Sequence, residues 1–345
     1  MALELPALYP PPPAPGAPAA ARYELDSPCL AWTDQAVLLA EFARSRELAP
    51  LQPPGGGAGL ISPRQLLALL EGLRAEGGPD AAFVIGRHWL PGHYGLPSQA
   101  LQEAPDLLTA LQLLCRHAGR LCPLLTPRLL LDEQELVLVW TEACGLPPGL
   151  RGFVVDLHMS AVSALADWLG GQALPWRYSF NRTAPRDLAQ HMVHLQAGEP
   201  GRLRFGCQAD AMRLPLEAAR RPWPTRPGRA AAALAAGADT GSQARGLIAA
   251  LHDRLLPALD RAPALDELAA ELGMSPATLK RRLAQHGTHY QAELDQLRAL
   301  MALYLLHLRG QPNEAVAQAL GFFDSANFRR FFKRWTGLLP SALAR

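Results

Sequence analysis

Seven cationic side chains fall into two short segments: Lys280, Arg281 and Arg282 in one, and Arg329, Arg330, Lys333 and Arg334 in the other. They include both lysines of the 345-residue sequence. Such groups bond phosphate oxygens and the O6 and N7 atoms of guanine, and an asparagine such as Asn327 can bond adenine. A cluster of cations at helical spacing is also the ordinary solvated face of a helix. The elements that hold these residues decide between the two.

The first cluster ends the stretch LDELAAELGMSPATLKRRL, Leu265 to Leu283. Leu265, Leu268, Ala269 and Leu272 follow helical spacing, as do Ala277, Leu279 and Leu283. Gly273 follows the last periodic leucine of the first set, where a helix closes in a left-handed residue. Ser275 is placed to cap a new helix and Pro276 to occupy its first position, where no N–H is required. Helix, tight turn, helix is therefore expected, with Lys280, Arg281 and Arg282 as one basic turn. A helical hairpin with a solvated basic face is an equal reading of this copy alone. A second copy, VAQALGFFDSANFRRFFKRW, places Gly321 48 positions after Gly273, with Asp324 as the candidate cap. Its turn is one residue longer. Between the copies a helix from about Tyr290 to His307 carries Leu294, Leu297, Met301, Leu305 and Leu306 as its apolar stripe. Such a helix is roughly 25 Å long, so two basic helices about 34 Å apart, one DNA turn, are physically reasonable.

Residues 246–345 resemble the DNA-binding domain of AraC/XylS-type transcription regulators. The matching residues are LAAELGMSPATLKRRL, the linker YQAELDQLRALMALYLL with Arg298, and VAQALGFFDSANFRRFFKRWTGLLP. The resemblance implies an all-α domain with two helix-turn-helix units joined by a linker helix. It implies groove-facing roles for Ala277, Lys280 and Arg281, and a phosphate contact for Thr278. In the second unit it implies DNA contact by Ser325, Ala326, Asn327, Arg329, Arg330 and Lys333, with Leu279, Leu283, Phe328 and Phe332 in the core. Phe323 stands where the family more often has a small or polar residue. There it either weakens a backbone contact at the turn or adds packing. Residues 246–345 carry 12 Lys+Arg and 9 Asp+Glu, a net +3, against +2 for the whole chain.

The remainder reads as three parts. Residues 1–22 are a Pro/Ala-rich tail, expected to be disordered. Residues 223–245 read as an interdomain linker, rich in proline and small residues. Residues 23–222 read as an α+β domain. Within it RLLLDEQELVLVW, Arg128 to Trp140, forms a hairpin around Asp132 and Glu133. Helices are expected over Phe153 to Leu169, Asp187 to Leu195, PRQLLALLEGLRA and LLTALQLLCRHAG, and short strands at WRYSFN and RLRFG. The stretches YGLPSQALQEAPDLLTALQLLCRHAGRL and RLRFG resemble the arabinose-binding-type sensor domain of the same family, which implies effector binding and dimerisation without naming the effector.

Other chemistry is sparse. Cys29, Cys115, Cys122, Cys144 and Cys207 form no zinc spacing, so reduced, mostly buried thiols are expected, with a Cys115–Cys122 redox pair as the lesser alternative. His191 and His194 lie one helical turn apart, with His88 and His93 as further candidate ligands. No acidic or cysteine partner stands at a standard spacing, so no metal is expected. No nucleophile elbow or P-loop occurs, and the glycines of PPGGGAG read as a loop. Trp89, Tyr94, Trp168, Trp176, Tyr178 and Phe180 line either an effector pocket or a core. No catalytic residue and no cofactor are expected, and neither is a membrane span or an export signal. The resulting expectation is a cytoplasmic, homodimeric transcription regulator that binds double-stranded promoter DNA. RNA polymerase and a small-molecule effector are its other partners, and activation is the commoner mode in the family. The alternatives are an effector-independent DNA-binding protein whose N-terminal domain is an interaction platform, and an enzyme fused to a DNA-binding module.

Overall fold

The computed structural model describes residues 7–10, 21–52, 59–91, 94–224 and 244–342. Most of the Pro/Ala-rich tail, the glycine loop 55–57, His93 and the linker residues 225–243 lie outside them. The chain forms two compact units, one running from about residue 20 to Gly246 and the other from Leu247 onward.

The N-terminal unit is built on a hairpin. Strands Leu125–Leu131 and Glu135–Glu142 pair antiparallel, Leu129 opposite Leu138. The Asp132 carboxylate accepts from the Gln134 and Glu135 N–H groups, both at 2.7 Å, which closes the turn. Strand Asp210–Pro215, absent from the sequence reading, pairs antiparallel with Glu135–Glu142 on one side and Arg177–Ser179 on the other. Its six residues begin with Asp and end with Pro, so propensity argues against it. Burial and two ladders of hydrogen bonds decide in its favour. Arg177–Ser179 then pairs with Leu203–Arg204 in parallel.

Helix Pro148–Gly170 has buried residues all around its circumference, because it lies within the unit. It packs heavily against helix Ala81–Trp89. A methyl group on Gly86 would lie 2.3 Å from the Leu157 carbonyl oxygen, so glycine is required at this crossing. Trp89, Tyr94, Trp176, Tyr178 and Phe180 are buried in this core, whereas Trp168 is exposed. Trp223, which the sequence places in the linker, is core as well, and its backbone N–H donates to the Pro105 carbonyl at 2.8 Å. After the undescribed segment, Arg245–Gly246 pairs in parallel with Arg22–Tyr23.

The C-terminal unit is helical. A lead-in helix, Leu247–Leu255, precedes helices Leu265–Glu271 and Pro276–Gln285. The connecting helix Tyr290–Leu303 ends in a π turn, Tyr304–Leu308. Helices Asn313–Ala319 and Ser325–Thr336 complete the second pair. The expected stripe of the connecting helix is buried throughout: Leu294, Leu297, Met301, Leu305 and Leu306.

Candidate nucleic-acid interface

The two helix-turn-helix units are built on one hydrogen-bonding scheme. In the first, Gly273 turns left-handed at φ +64° and the Met274 N–H donates back to the Ala269 carbonyl at 2.9 Å. Ser275 Oγ then accepts from the Thr278 N–H at 3.2 Å, with Pro276 at the first helical position. In the second, Gly321 has φ +74° and the Phe322 N–H reaches the Ala317 carbonyl at 2.9 Å. Asp324 Oδ1 accepts from the Asn327 N–H at 2.6 Å.

Aligning the two schemes locates the additional residue of the second turn. Met274 corresponds to Phe322 and Ser275 to Asp324, so Phe323 has no counterpart. It is 96% exposed. Of the two effects expected for this side chain, added packing is therefore excluded.

Each trailing helix has a core face and an open face. Leu279 and Leu283 are wholly buried, as are Phe328 and Phe332. Opposite them Ala277, Lys280 and Arg281 are exposed, and so are Ala326, Arg329, Arg330 and Lys333. Thr278, Ser325 and Asn327 are half-buried at the helix starts. The Thr278 hydroxyl bonds Ser275 Oγ at 2.8 Å, and Arg329 Nε donates to the Ser325 carbonyl at 3.2 Å. Arg334 differs from its basic neighbours. It pairs with Asp295 of the connecting helix at 2.8 Å and lies 4.4 Å from the Phe331 ring centre.

Two further ties fix the unit. Arg298 Nη2 donates to the Leu259 carbonyl at 3.0 Å, and its guanidinium lies 5.1 Å from the centre of the Phe322 ring. That ring meets Phe328, Phe331 and Trp335 at 5.4–5.6 Å, which anchors the second turn. Burial, opposed by nearby Asp295, holds the Arg298 pKa below its usual range. The second tie escaped the sequence reading. His252 on the lead-in helix is wholly buried and its Nε2 lies 2.6 Å from Glu293 Oε2. Glu293 Oε1 also accepts from the Thr288 hydroxyl. Nothing in the local spacing of these three residues announces the cluster, because 41 positions separate His252 from Glu293.

The other chemical candidates fall in the N-terminal unit. His191 is buried, with Nε2 2.9 Å from Arg182 Nη2 and 3.3 Å from Asp156 Oδ1, in an ion-pair cluster rather than beside His194 as a ligand pair. The Phe83 ring stacks on His194 at 5.3 Å and meets His191 edge-on at 4.9 Å. Burial pushes the Cys115 thiol up to about 12 and the Cys122 thiol well above its ordinary value, so both are poor thiolates. This argues against the Cys115–Cys122 redox pair.

Known proteins share both units. Residues 268–345 match the helix-turn-helix domain family, and residues 33–223 match the arabinose-binding domain of AraC transcription regulator, N-term. An HTH-type transcriptional regulator of Mycobacterium tuberculosis is 26% identical over 314 residues, covering 87% of this chain and 88% of that protein. The ornithine utilization regulator of Pseudomonas aeruginosa is 43% identical over 96 residues, 28% of each chain. The crystal structure of the transcriptional regulator CdpR from Pseudomonas aeruginosa is 22% identical, covers 90% of this chain and 97% of that one, and superposes with a TM-score of 0.45. With the sensor-domain match spanning more than half of the sequence and the helix-turn-helix match following it, the chain belongs to the AraC family of DNA-binding transcription regulators.

Proposed function

We propose that the protein reads a promoter site with both trailing helices, placing them in successive major grooves on one face of the DNA. The observation that carries this reading is the shared split between a buried apolar face and an open face bearing cations in each helix. Lys280, Arg281, Arg329 and Arg330 bond guanine edges, and Asn327 bonds adenine. Ala277 and Ala326 meet apolar base surface such as a thymine methyl. Thr278, Ser325 and Lys333 contact phosphate or base edges at the groove margin.

In this reading residues 246–345 bind DNA and residues 23–222 bind a small-molecule effector and form a homodimer. The effector acts by binding one arrangement of the protomers more tightly than another. RNA polymerase is the partner at the promoter, activation the expected mode, and the cytoplasm the compartment. Among the described residues no helix is long and apolar enough to cross a membrane.

The test is a footprint of the full-length protein on the intergenic DNA beside its own gene, followed by selection from a random-sequence duplex pool. Protection of two adjacent major grooves on one face is expected. Failure of the folded protein to select any sequence in either experiment would overturn the reading.

A further inference from the structure

Phe323 is the most exposed large apolar side chain among the described residues of the C-terminal unit. A phenylalanine is normally among the more buried residues, and this one is 96% exposed. It is not a loose side chain on a long loop. On one side Phe322 is anchored, its N–H bonded to Ala317 and its ring seated among Phe328, Phe331 and Trp335. On the other side Asp324 is fixed as the cap of helix Ser325–Thr336, with an extended backbone at φ −151° and ψ 169°. Phe322 turns inward, and the next residue is held outward between two fixed points. The first turn, which runs from Met274 directly to its cap Ser275, has no residue in this place.

The position itself indicates what covers the ring. A helix-turn-helix presents the N-terminal residues of its second helix to base edges in the major groove. Phe323 lies one residue before the cap of that helix, at the same end as the exposed Ala326, Arg329 and Arg330. An aromatic ring has no hydrogen-bonding capacity to offer there. The apolar feature available to it in the major groove is the C5-methyl group of thymine.

We infer that Phe323 is a specificity-determining residue of the second unit, making an apolar contact with a thymine methyl at the edge of the groove entered by helix Ser325–Thr336. This rests on the proposed reading of that helix. Removing water from one face of the ring and from one methyl group supports a discrimination of about three- to tenfold. The second unit thereby gains a thymine-preferring position that the first lacks.

The test uses the full-length protein and a duplex that it selects from a random-sequence pool. Thymines in the half-site of the second unit are replaced one at a time by deoxyuridine, which removes only the methyl group. Affinity is measured for the unsubstituted protein and for Phe323→Ala. One or two replacements should weaken the unsubstituted protein three- to tenfold and leave Phe323→Ala unaffected, whose affinity for the thymine duplex should already be lower by the same factor. Phe323→Leu should retain most of the discrimination. Because the side chain is exposed, the unfolding midpoint should be unchanged in both variants. A methyl met by Ala326 responds equally in both proteins, so equal deoxyuridine effects in the unsubstituted protein and Phe323→Ala at every thymine of the half-site overturn the inference. Intact DNA affinity of Phe323→Ala combined with reduced transcription assigns the ring to a protein partner and overturns it too. In both cases weakened binding by Arg330→Ala would leave the proposed function standing, whereas no selected sequence at all removes both.

Discussion

The two helix-turn-helix units share a hydrogen-bonding scheme and differ in what surrounds their turns. A methyl group on Gly273 would meet nothing within 4 Å, whereas one on Gly321 would lie 1.7 Å from the Asp260 carbonyl oxygen. The second turn also receives Arg298, which joins the Leu259 carbonyl to the Phe322 ring. Gly273 therefore stands in open space, whereas Gly321 is packed on the segment after the lead-in helix and its turn is tied to the connecting helix through Arg298. Two copies of one motif in one chain need not be packed alike.

The largest test of this difference is a pair of alanines. Gly321→Ala meets both the left-handed backbone and the Asp260 carbonyl, and should destabilise the C-terminal unit by more than about 4 kcal/mol in denaturant unfolding. Gly273→Ala meets the backbone penalty alone, and about 1–2 kcal/mol is expected. Equal losses would remove the distinction. Next in size are the DNA effects of the exposed cations. Arg281→Ala and Arg330→Ala should each cost about 1–3 kcal/mol on the selected site and relax base preference at one position, measured by titration against point-substituted duplexes. Uniform weakening on every duplex would mean phosphate contact alone. The caps come third. Ser275→Ala and Asp324→Ala should each lower stability by about 1 kcal/mol, and a markedly smaller loss at Asp324 would indicate that the anchored second turn holds the helix start without its cap. The smallest effect is expected at Arg334. Its pair with Asp295 is more than half exposed on the arginine side, so Arg334→Ala should change stability by about 0.5 kcal/mol or less and leave base preference intact.

Both turns were legible in the sequence because helix punctuation is local. A glycine after the last periodic apolar residue, then a Ser or Asp cap, specifies the backbone within six or seven residues. The same locality made the open face readable. Once the core positions Leu279, Leu283, Phe328 and Phe332 are assigned, Lys280, Arg281, Arg329 and Arg330 are constrained to point away. Arg334 shows the limit. In sequence it belongs to the basic cluster, but its partner Asp295 lies 39 positions away on another helix. The His252–Glu293–Thr288 cluster and the close approach of Gly321 to Asp260 were invisible for that reason. In the N-terminal unit the hairpin at Asp132 could be read from its turn residues, and the long helix from its apolar content. Strand Asp210–Pro215 could not be, because its claim to be a strand lies in neighbours at Glu135–Glu142 and Arg177–Ser179 rather than in its own six residues.

The choice of cap has an electrostatic consequence. A helix start carries partial positive charge from its unpaired N–H groups and attracts phosphate. Ser275 leaves that charge in place at the first unit, whereas Asp324 sets a full negative charge on it at the second. The first helix can approach the DNA backbone end-on with its dipole contributing. In the proposed complex the second relies on Arg329, Arg330 and Lys333 to overcome the repulsion of its own cap. If both units engage DNA as proposed, ionic strength will therefore act unequally on the two half-sites. Added salt screens an attraction at the first helix start and a repulsion at the second, so the balance between the two contacts shifts as counterions accumulate.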